Sequence, residues 1–167
     1  SSGARIVLFG PPNAGKSSLF NSILGFERTI VSDVSGTTRD VVEAWLELSG
    51  IPVCLVDTAG YWDSDNHLES IGIQRTRDQV LIADIILFVS PEDPKKTFSS
   101  LNINLDESKI VYVQSKSDLN IDNPPSPSEI INVSSQDNTG IQSLLNILST
   151  ELSSNFSQQS SIDPIIV

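Results

Sequence analysis

The stretch Gly10-Pro11-Pro12-Asn13-Ala14-Gly15-Lys16-Ser17 decides how this chain folds. It has the G-x-x-x-x-G-K-[ST] spacing of a phosphate-binding loop, and its flanks are those the spacing requires. The apolar run Ile6-Val7-Leu8-Phe9 precedes it, and Leu19, Phe20, Ile23 and Leu24 recur at helical spacing after it until Gly25 closes the pattern. The pattern predicts a strand ending at Phe9, a loop, and a helix from about Lys16 to Leu24. Glycines let such a loop curl so that successive N–H groups converge on an anion. In that cradle, with Ala14, Gly15 and Ser18 beside it, Lys16 reaches the β- and γ-phosphates of a nucleoside triphosphate and the Ser17 hydroxyl ligates Mg²⁺. A chance glycine-rich turn would not bring all three fixed positions and both flanks together.

Outward from this loop the chain alternates strands and helices. Val41 to Leu48 and Pro52 to Val56, joined by Ser49-Gly50, read as an antiparallel hairpin. A helix is expected from about Leu68 to Ala83, with Ile73, Thr76, Val80 and Ala83 facing a sheet. Strands follow at Ile85–Val89, Ile110–Val113 and Ile130–Val133. The region 91–108, broken by Pro91 and Pro94, leaves room for a short, irregular helix. A capping box, Thr139-Gly140-Ile141-Gln142, opens a last helix with the stripe Ile141, Leu144, Leu145, Leu148 and Leu152. This order predicts an α/β P-loop NTPase (Ras-like) fold: a mostly parallel six-stranded sheet, helices on both faces, and one antiparallel hairpin strand. The domain is placed at 1–152, and the Ser/Gln/Asn-rich stretch 153–167 reads as a polar linker toward a domain outside this chain.

The chain has 167 residues, room for one core, and a formal net charge of −11. That acidity argues against this segment gripping nucleic acid by its phosphates, which takes clustered Lys and Arg. No run approaches the roughly 18 apolar residues of a membrane span, so no membrane partner is expected. The single cysteine, Cys54, lies in an apolar strand and excludes an internal disulfide.

The remaining motifs fall just after strand ends, where open α/β sheets bind ligands. Asp57-Thr58-Ala59-Gly60 follows the phosphate loop by about 40 residues. Asp57 is placed to hold Mg²⁺ through water, and the Gly60 N–H can approach the γ-phosphate because no side chain obstructs it. Thr38, in the loop after the first helix, is the natural second hydroxyl ligand of Mg²⁺. Ser115-Lys116-Ser117-Asp118 addresses the base. The Asp118 carboxylate can accept from both the N1–H and the exocyclic amine of guanine, a pair adenine does not offer, while the Lys116 stem packs over the base face.

Taken together, Gly-Pro-Pro-Asn-Ala-Gly-Lys-Ser-Ser, Asp-Val-Ser-Gly-Thr-Thr-Arg-Asp, Val-Asp-Thr-Ala-Gly and Glu69-Ser70-Ile71-Gly72-Ile73 resemble the G domain of the MnmE (TrmE) family of tRNA-modification GTPases, over residues 4 to about 152. The resemblance implies a K⁺ ion in place of an arginine finger, held by the Asn13 side chain and by Ser32, Val34 and Thr37 of the first switch loop. It implies that Glu69 orients or activates the attacking water; Tyr61 stands directly after the D-x-x-G, where other GTPases carry Gln or His. Lys16, Asn13 and Glu69 thereby form the expected catalytic set. The resemblance further implies GTP or GDP as the bound nucleotide, homodimerisation through the switch face during hydrolysis, an MnmG-like partner, tRNA contact only via other domains or partners, and a bacterial cytoplasmic or organelle-matrix location.

Three places depart from the family pattern. Ser90 stands where a family Asp often follows strand four, and the segment after it is short, which puts the third helix in doubt. Ser115 replaces the usual Asn of the guanine motif and is expected to lose an amide that braces the phosphate loop and base. Ser134-Ser135 replaces Ser-Ala, a smaller change because a backbone N–H meets the guanine carbonyl there. Weaker but guanine-selective binding is expected. The competing readings are a ribosome-assembly GTPase, a small-molecule P-loop kinase, for which residues 91–130 offer no acceptor pocket or basic lid, and a nucleotide-gated dimerisation module with little turnover.

Overall fold

A computed structural model describes residues 3–27, 41–58, 76–116 and 129–162. The apolar runs become six strands: β1 (Ala4–Phe9), β2 (Val41–Leu48), β3 (Ile51–Thr58), β4 (Ile85–Ser90), β5 (Ile110–Gln114) and β6 (Ile130–Asn132). They form one sheet in the order β2-β3-β1-β4-β5-β6. Every neighbouring pair is parallel except β2 and β3, which run antiparallel from Val41↔Thr58 to Leu48↔Ile51. The expected mixed sheet is therefore present. The Ser49-Gly50 turn works because both residues take positive φ, 51° and 81°.

Alternation along the strands divides the core into two layers. Ile6 and Leu8 of β1 point to one face with Leu19, Ile23, Leu55, Leu87, Leu144 and Leu148; Val7 and Phe9 point to the other with Val56, Val80, Ile86, Phe88 and Phe98. Helices α1 (Lys16–Glu27) and α4 (Ile141–Ile162) cover the first face. The helix at 76–82 (α2) and α3 (Pro94–Ser100) cover the second. On that side Phe88 sits edge-on to Phe9, Phe98 and Tyr112, with ring centroids 5.9, 5.3 and 6.4 Å apart.

Three local expectations are corrected, and the short helix expected in 91–108 is present. Helix α1 runs on to Glu27 instead of stopping before Gly25. The region 91–108 holds a clear helix, α3, because Asp93 caps it by accepting from the Lys95 and Lys96 N–H groups and Pro94 occupies a first-turn position. A single 3₁₀ turn, Glu107–Lys109, then leads into β5. Helix α4 starts at Ile141, so Thr139 stands one residue outside the cap position and the capping box does not form; the Gln142 side chain bonds Asn146 instead. Finally, α4 continues from Ser153 to Ile162, so most of the stretch read as linker is helical. The expected helical stretch before residue 76 lies outside the described residues.

Candidate functional site

The carboxyl ends of β1 and β3 build one half of the site. β3 extends two residues beyond the expected Val56, which places Asp57 inside the sheet, opposite Leu8 in register. Thr58 Oγ donates to the Leu8 carbonyl at 2.6 Å and fastens the end of β3 to β1. Asp57 is 8% exposed, and its Oδ2 accepts from the Ser17 hydroxyl at 2.8 Å. Its Oδ1 is buried without a hydrogen-bond partner among the described residues. Burial pushes the Asp57 carboxyl above its ordinary range, against the downward pull of the Ser17 bond and the Lys16 charge. A buried carboxylate oxygen with no partner, beside a serine hydroxyl, is a donor set suited to a hard divalent cation such as Mg²⁺.

Lys16 is 7% exposed, and its ammonium donates to the Gly10 and Pro11 carbonyls at 2.7 and 2.9 Å. Its charge is thus held inside the loop. Gly10 is obligatory there: a Cβ would lie 2.1 Å from the Val89 carbonyl oxygen, with φ at 155°. The loop passes this close to the β4 backbone on its way to α1. Ser17 and Ser18 are exposed in the first turn of α1, and Ala14 is buried.

The second half is built by the ends of β5 and β6. The Ser115 N–H donates to the Ser90 carbonyl at 2.9 Å, and Ser115, 4% exposed, donates its hydroxyl to the Ala14 carbonyl of the phosphate loop. The expected loss of bracing at Ser115 is therefore corrected: the shorter side chain still ties the base motif to the loop. Lys116, at φ 57°, lays its stem toward Gly15 and donates from Nζ to the Asn13 carbonyl at 2.7 Å. Asn13 itself is exposed with φ at 60°, a left-handed turn conformation that Asn tolerates. Val133 N–H bonds the Gln114 carbonyl, which brings the fully buried Ser134 and half-buried Ser135 alongside. Gly140 closes that loop because a Cβ there would meet the Asn132 carbonyl oxygen at 2.0 Å.

The structure thus brings together Asn13, Ala14, Gly15, Lys16, Ser17, Asp57, Ser115 and Lys116. Ser32, Val34, Thr37, Thr38, Gly60, Glu69 and Asp118 lie outside the described residues. Thr58 and Ser90, which the motifs do not single out as site residues, both support the site by hydrogen bonding; a hydroxyl residue directly at a strand end is the signal that marks them.

A phosphate-binding loop at the end of β1, a carboxylate at the end of β3 and a base motif at the end of β5 define a P-loop GTPase. The model of the 50S ribosome-binding GTPase family matches residues 5–117. Over 121 residues the chain is 44% identical to the tRNA modification GTPase MnmE of Aquifex aeolicus, covering 71% of this chain and 27% of that protein. It is 40% identical to the MnmE of a Psychrobacter species over 165 residues, 86% of this chain and 36% of the relative. The chain belongs to the 50S ribosome-binding GTPase family, and within it is a GTP-hydrolysing G domain of the MnmE type. It spans about a quarter of the length of the first curated relatives. Among solved structures, the G domain of the T. maritima FeoB iron transporter superposes with a TM-score of 0.62 at 21% identity, covering 89% of this chain and 98% of that one. Era in complex with MgGDPNP and 16S ribosomal RNA nucleotides gives the same score and identity, covering 89% and 56%. These two likenesses show the fold. No described helix is long and apolar enough to cross a membrane.

Proposed function

We propose that this domain, spanning residues 1–152, hydrolyses GTP with K⁺ stimulation and with dimerisation through its switch face, as part of a protein that modifies the wobble uridine of tRNA. The observation that carries the reading is the buried Asp57, bonded to the Ser17 hydroxyl and left with an unpartnered carboxylate oxygen among the described residues, set against a loop that holds a lysine ammonium inside. Asp57 and Ser17, with Thr38, are the residues to hold Mg²⁺, which neutralises charge on the β- and γ-phosphates. Lys16 exchanges its two carbonyl bonds for phosphate oxygens. Ala14, Gly15 and Ser18 surround the phosphates, and the Gly60 N–H meets the terminal one. Lys116 lies over the guanine face, Asp118 reads its edge, and Ser134 and Ser135 meet its carbonyl from the backbone.

The exposed Asn13, whose carbonyl Lys116 anchors, is free to turn its side-chain oxygen to a monovalent ion held also by Ser32, Val34 and Thr37. Such an ion supplies the positive charge that other GTPases take from an arginine, and Glu69 orients the attacking water. Homodimerisation, an MnmG-like partner and tRNA belong to the whole protein; with a net charge of −11, this segment leaves RNA contact to other parts.

Single-turnover GTP hydrolysis in KCl and in NaCl at equal ionic strength, over a range of protein concentrations, tests the reading. A rate several-fold higher in K⁺ that rises with protein concentration is expected. Equal rates in the two salts sink the ion role of Asn13. Tight GTP-dependent dimerisation without turnover would favour a nucleotide-gated module, and GTP-dependent co-sedimentation with the large ribosomal subunit would favour the ribosome-assembly reading that the family description raises.

A further inference from the structure

Helix α2 has a narrow apolar seat on the sheet. Of its described residues Thr76 and Val80 are buried, while Leu81 and Ile82 turn outward at 59% and 60% exposure. Polar ties add to that seat over the described residues, and two of them meet at Arg5 of β1. The Arg5 N–H donates to Asp84 Oδ2 at 2.7 Å and the Asp84 N–H returns to the Arg5 carbonyl at 2.9 Å, which clamps the chain just beyond the end of α2. The Arg5 Nη1 donates to Gln79 Oε1 within α2 at 2.7 Å and to Glu43 Oε1 on β2 at 3.3 Å. Arg5 stands opposite Cys54 of β3, and β2 is the next strand out, so the guanidinium crosses over β3 to reach Glu43.

The places of these partners in the chain matter more than the bonds themselves. β2 begins at Val41, three residues after Thr38, and α2 lies on the stretch that leads from Asp57 and Gly60 back to the sheet. A single nitrogen therefore links the segment that follows Thr38 to the segment that follows Gly60. The Arg5 and Glu43 side chains are 27% and 34% exposed, so water only partly screens the link.

We propose that Arg5 is a positioning residue that fixes α2 against the β2–β3 hairpin through Gln79 and Glu43, and so couples the segment that follows Thr38 to the segment that follows Gly60. The inference rests on the chain being a GTP-hydrolysing domain, and not on the K⁺ or dimer readings. Arg5 touches no part of the phosphate loop, so its loss should change the rate of hydrolysis and leave GDP affinity alone. A clamp serving stability alone would leave the rate of the folded protein unchanged, or lower rate and GDP affinity together.

The experiment compares wild type with Arg5→Gln, Arg5→Lys, Gln79→Ala and Glu43→Ala, reading single-turnover GTP hydrolysis, affinity for a fluorescent GDP, and amide hydrogen exchange over residues 76–82. Arg5→Gln is expected to slow hydrolysis about three- to tenfold with GDP affinity within about twofold, the range of coupling energies carried by such links. Gln79→Ala and Glu43→Ala should each slow it less and add nothing to Arg5→Gln, while Arg5→Lys, which can still donate to both oxygens, should restore most of the rate. Exchange over 76–82 should quicken in Arg5→Gln with GDP or a GTP analogue bound. If Arg5→Gln unfolds, the solvent-side Gln79→Ala carries the test. Unchanged hydrolysis and exchange in Gln79→Ala, or rate and GDP affinity falling together, overturns the proposal. If wild type binds GTP without hydrolysing it, the GTPase reading fails, and the exchange arm alone decides whether Arg5 couples the segments.

Discussion

The phosphate end and the base end of this site are built to different standards. At the phosphate end Lys16 and Asp57 are nearly buried, and Gly10 lies against the Val89 backbone. At the base end Lys116 is exposed, and the side-chain bonds run back to the phosphate loop: Ser115 to Ala14 and Lys116 to Asn13. The base end is therefore positioned by the phosphate end. Charge explains the asymmetry. A triphosphate and its cation need fixed, desolvated partners, whereas a neutral base needs a shaped edge and a cover.

The largest expected effect tests the fixed half. Lys16→Ala should lower single-turnover GTP hydrolysis by about a hundredfold or more, because it removes a preorganised positive charge aimed at the transferring phosphate. A tenfold loss or less would mean that the buried ammonium contributes little beyond binding. Gly10→Ala should destabilise the domain by about 3 kcal/mol, since its Cβ would collide with a backbone carbonyl that cannot turn aside. Thermal unfolding of the nucleotide-free protein measures this, and a variant as stable as wild type would show that the loop can shift away from β4.

Asp57→Asn separates metal binding from folding. The folded Asp57 carboxyl titrates above its unfolded value because burial penalises its charge. The folded state thus binds the proton more tightly, and stability falls as pH rises from the ordinary carboxylate range through the raised folded value. Without metal, Asp57→Asn should be more stable than wild type at neutral pH, an advantage that vanishes in acid. With GTP it should need roughly tenfold more Mg²⁺ for half-maximal hydrolysis, because a neutral amide binds a hard cation less well. Wild type should itself need more Mg²⁺ as pH falls toward the raised value. An Asp57→Asn domain with wild-type Mg²⁺ dependence would move the cation site elsewhere.

The smallest effect tests the dependent half. Ser115→Ala leaves the buried Ala14 carbonyl without its hydroxyl donor, a loss of about 1 kcal/mol. Affinity for GDP should fall about fivefold, and the phosphate loop should feel it: the Mg²⁺ requirement for hydrolysis should rise slightly as well. A fall in affinity with unaltered Mg²⁺ dependence would show that the two halves are independent.

Much of the fold was readable because the strands are apolar runs bounded by turn residues, and the phosphate loop fixes what lies on either side of it. The less legible parts have local causes. Helix α3 is only seven residues long and shows no apolar period; its sign was the pair Asp93-Pro94, a cap followed by a first-turn proline. The distal part of α4 carries no apolar stripe in the sequence, so composition alone suggested a linker. In the site, Lys16, Ser17 and Asp57 were legible from spacing. The Ser115 brace was not, since a hydroxyl reaches Ala14, 101 residues away in the chain, only because the phosphate loop passes against β4 and meets the end of β5.

The sequence by itself determined the chemistry: a loop whose glycines and lysine suit phosphate, a strand-end aspartate, and a lysine for the base face. These are local properties, set by backbone freedom and residue type within a few positions. The tertiary structure decided which of these groups are buried, which oxygen of Asp57 is left without a partner, and that Ser115 can stand where an amide was expected. It also drew Arg5, Glu43 and Gln79 to one nitrogen. Those outcomes depend on strand order and register, which bring distant residues within hydrogen-bonding distance and which no local pattern encodes.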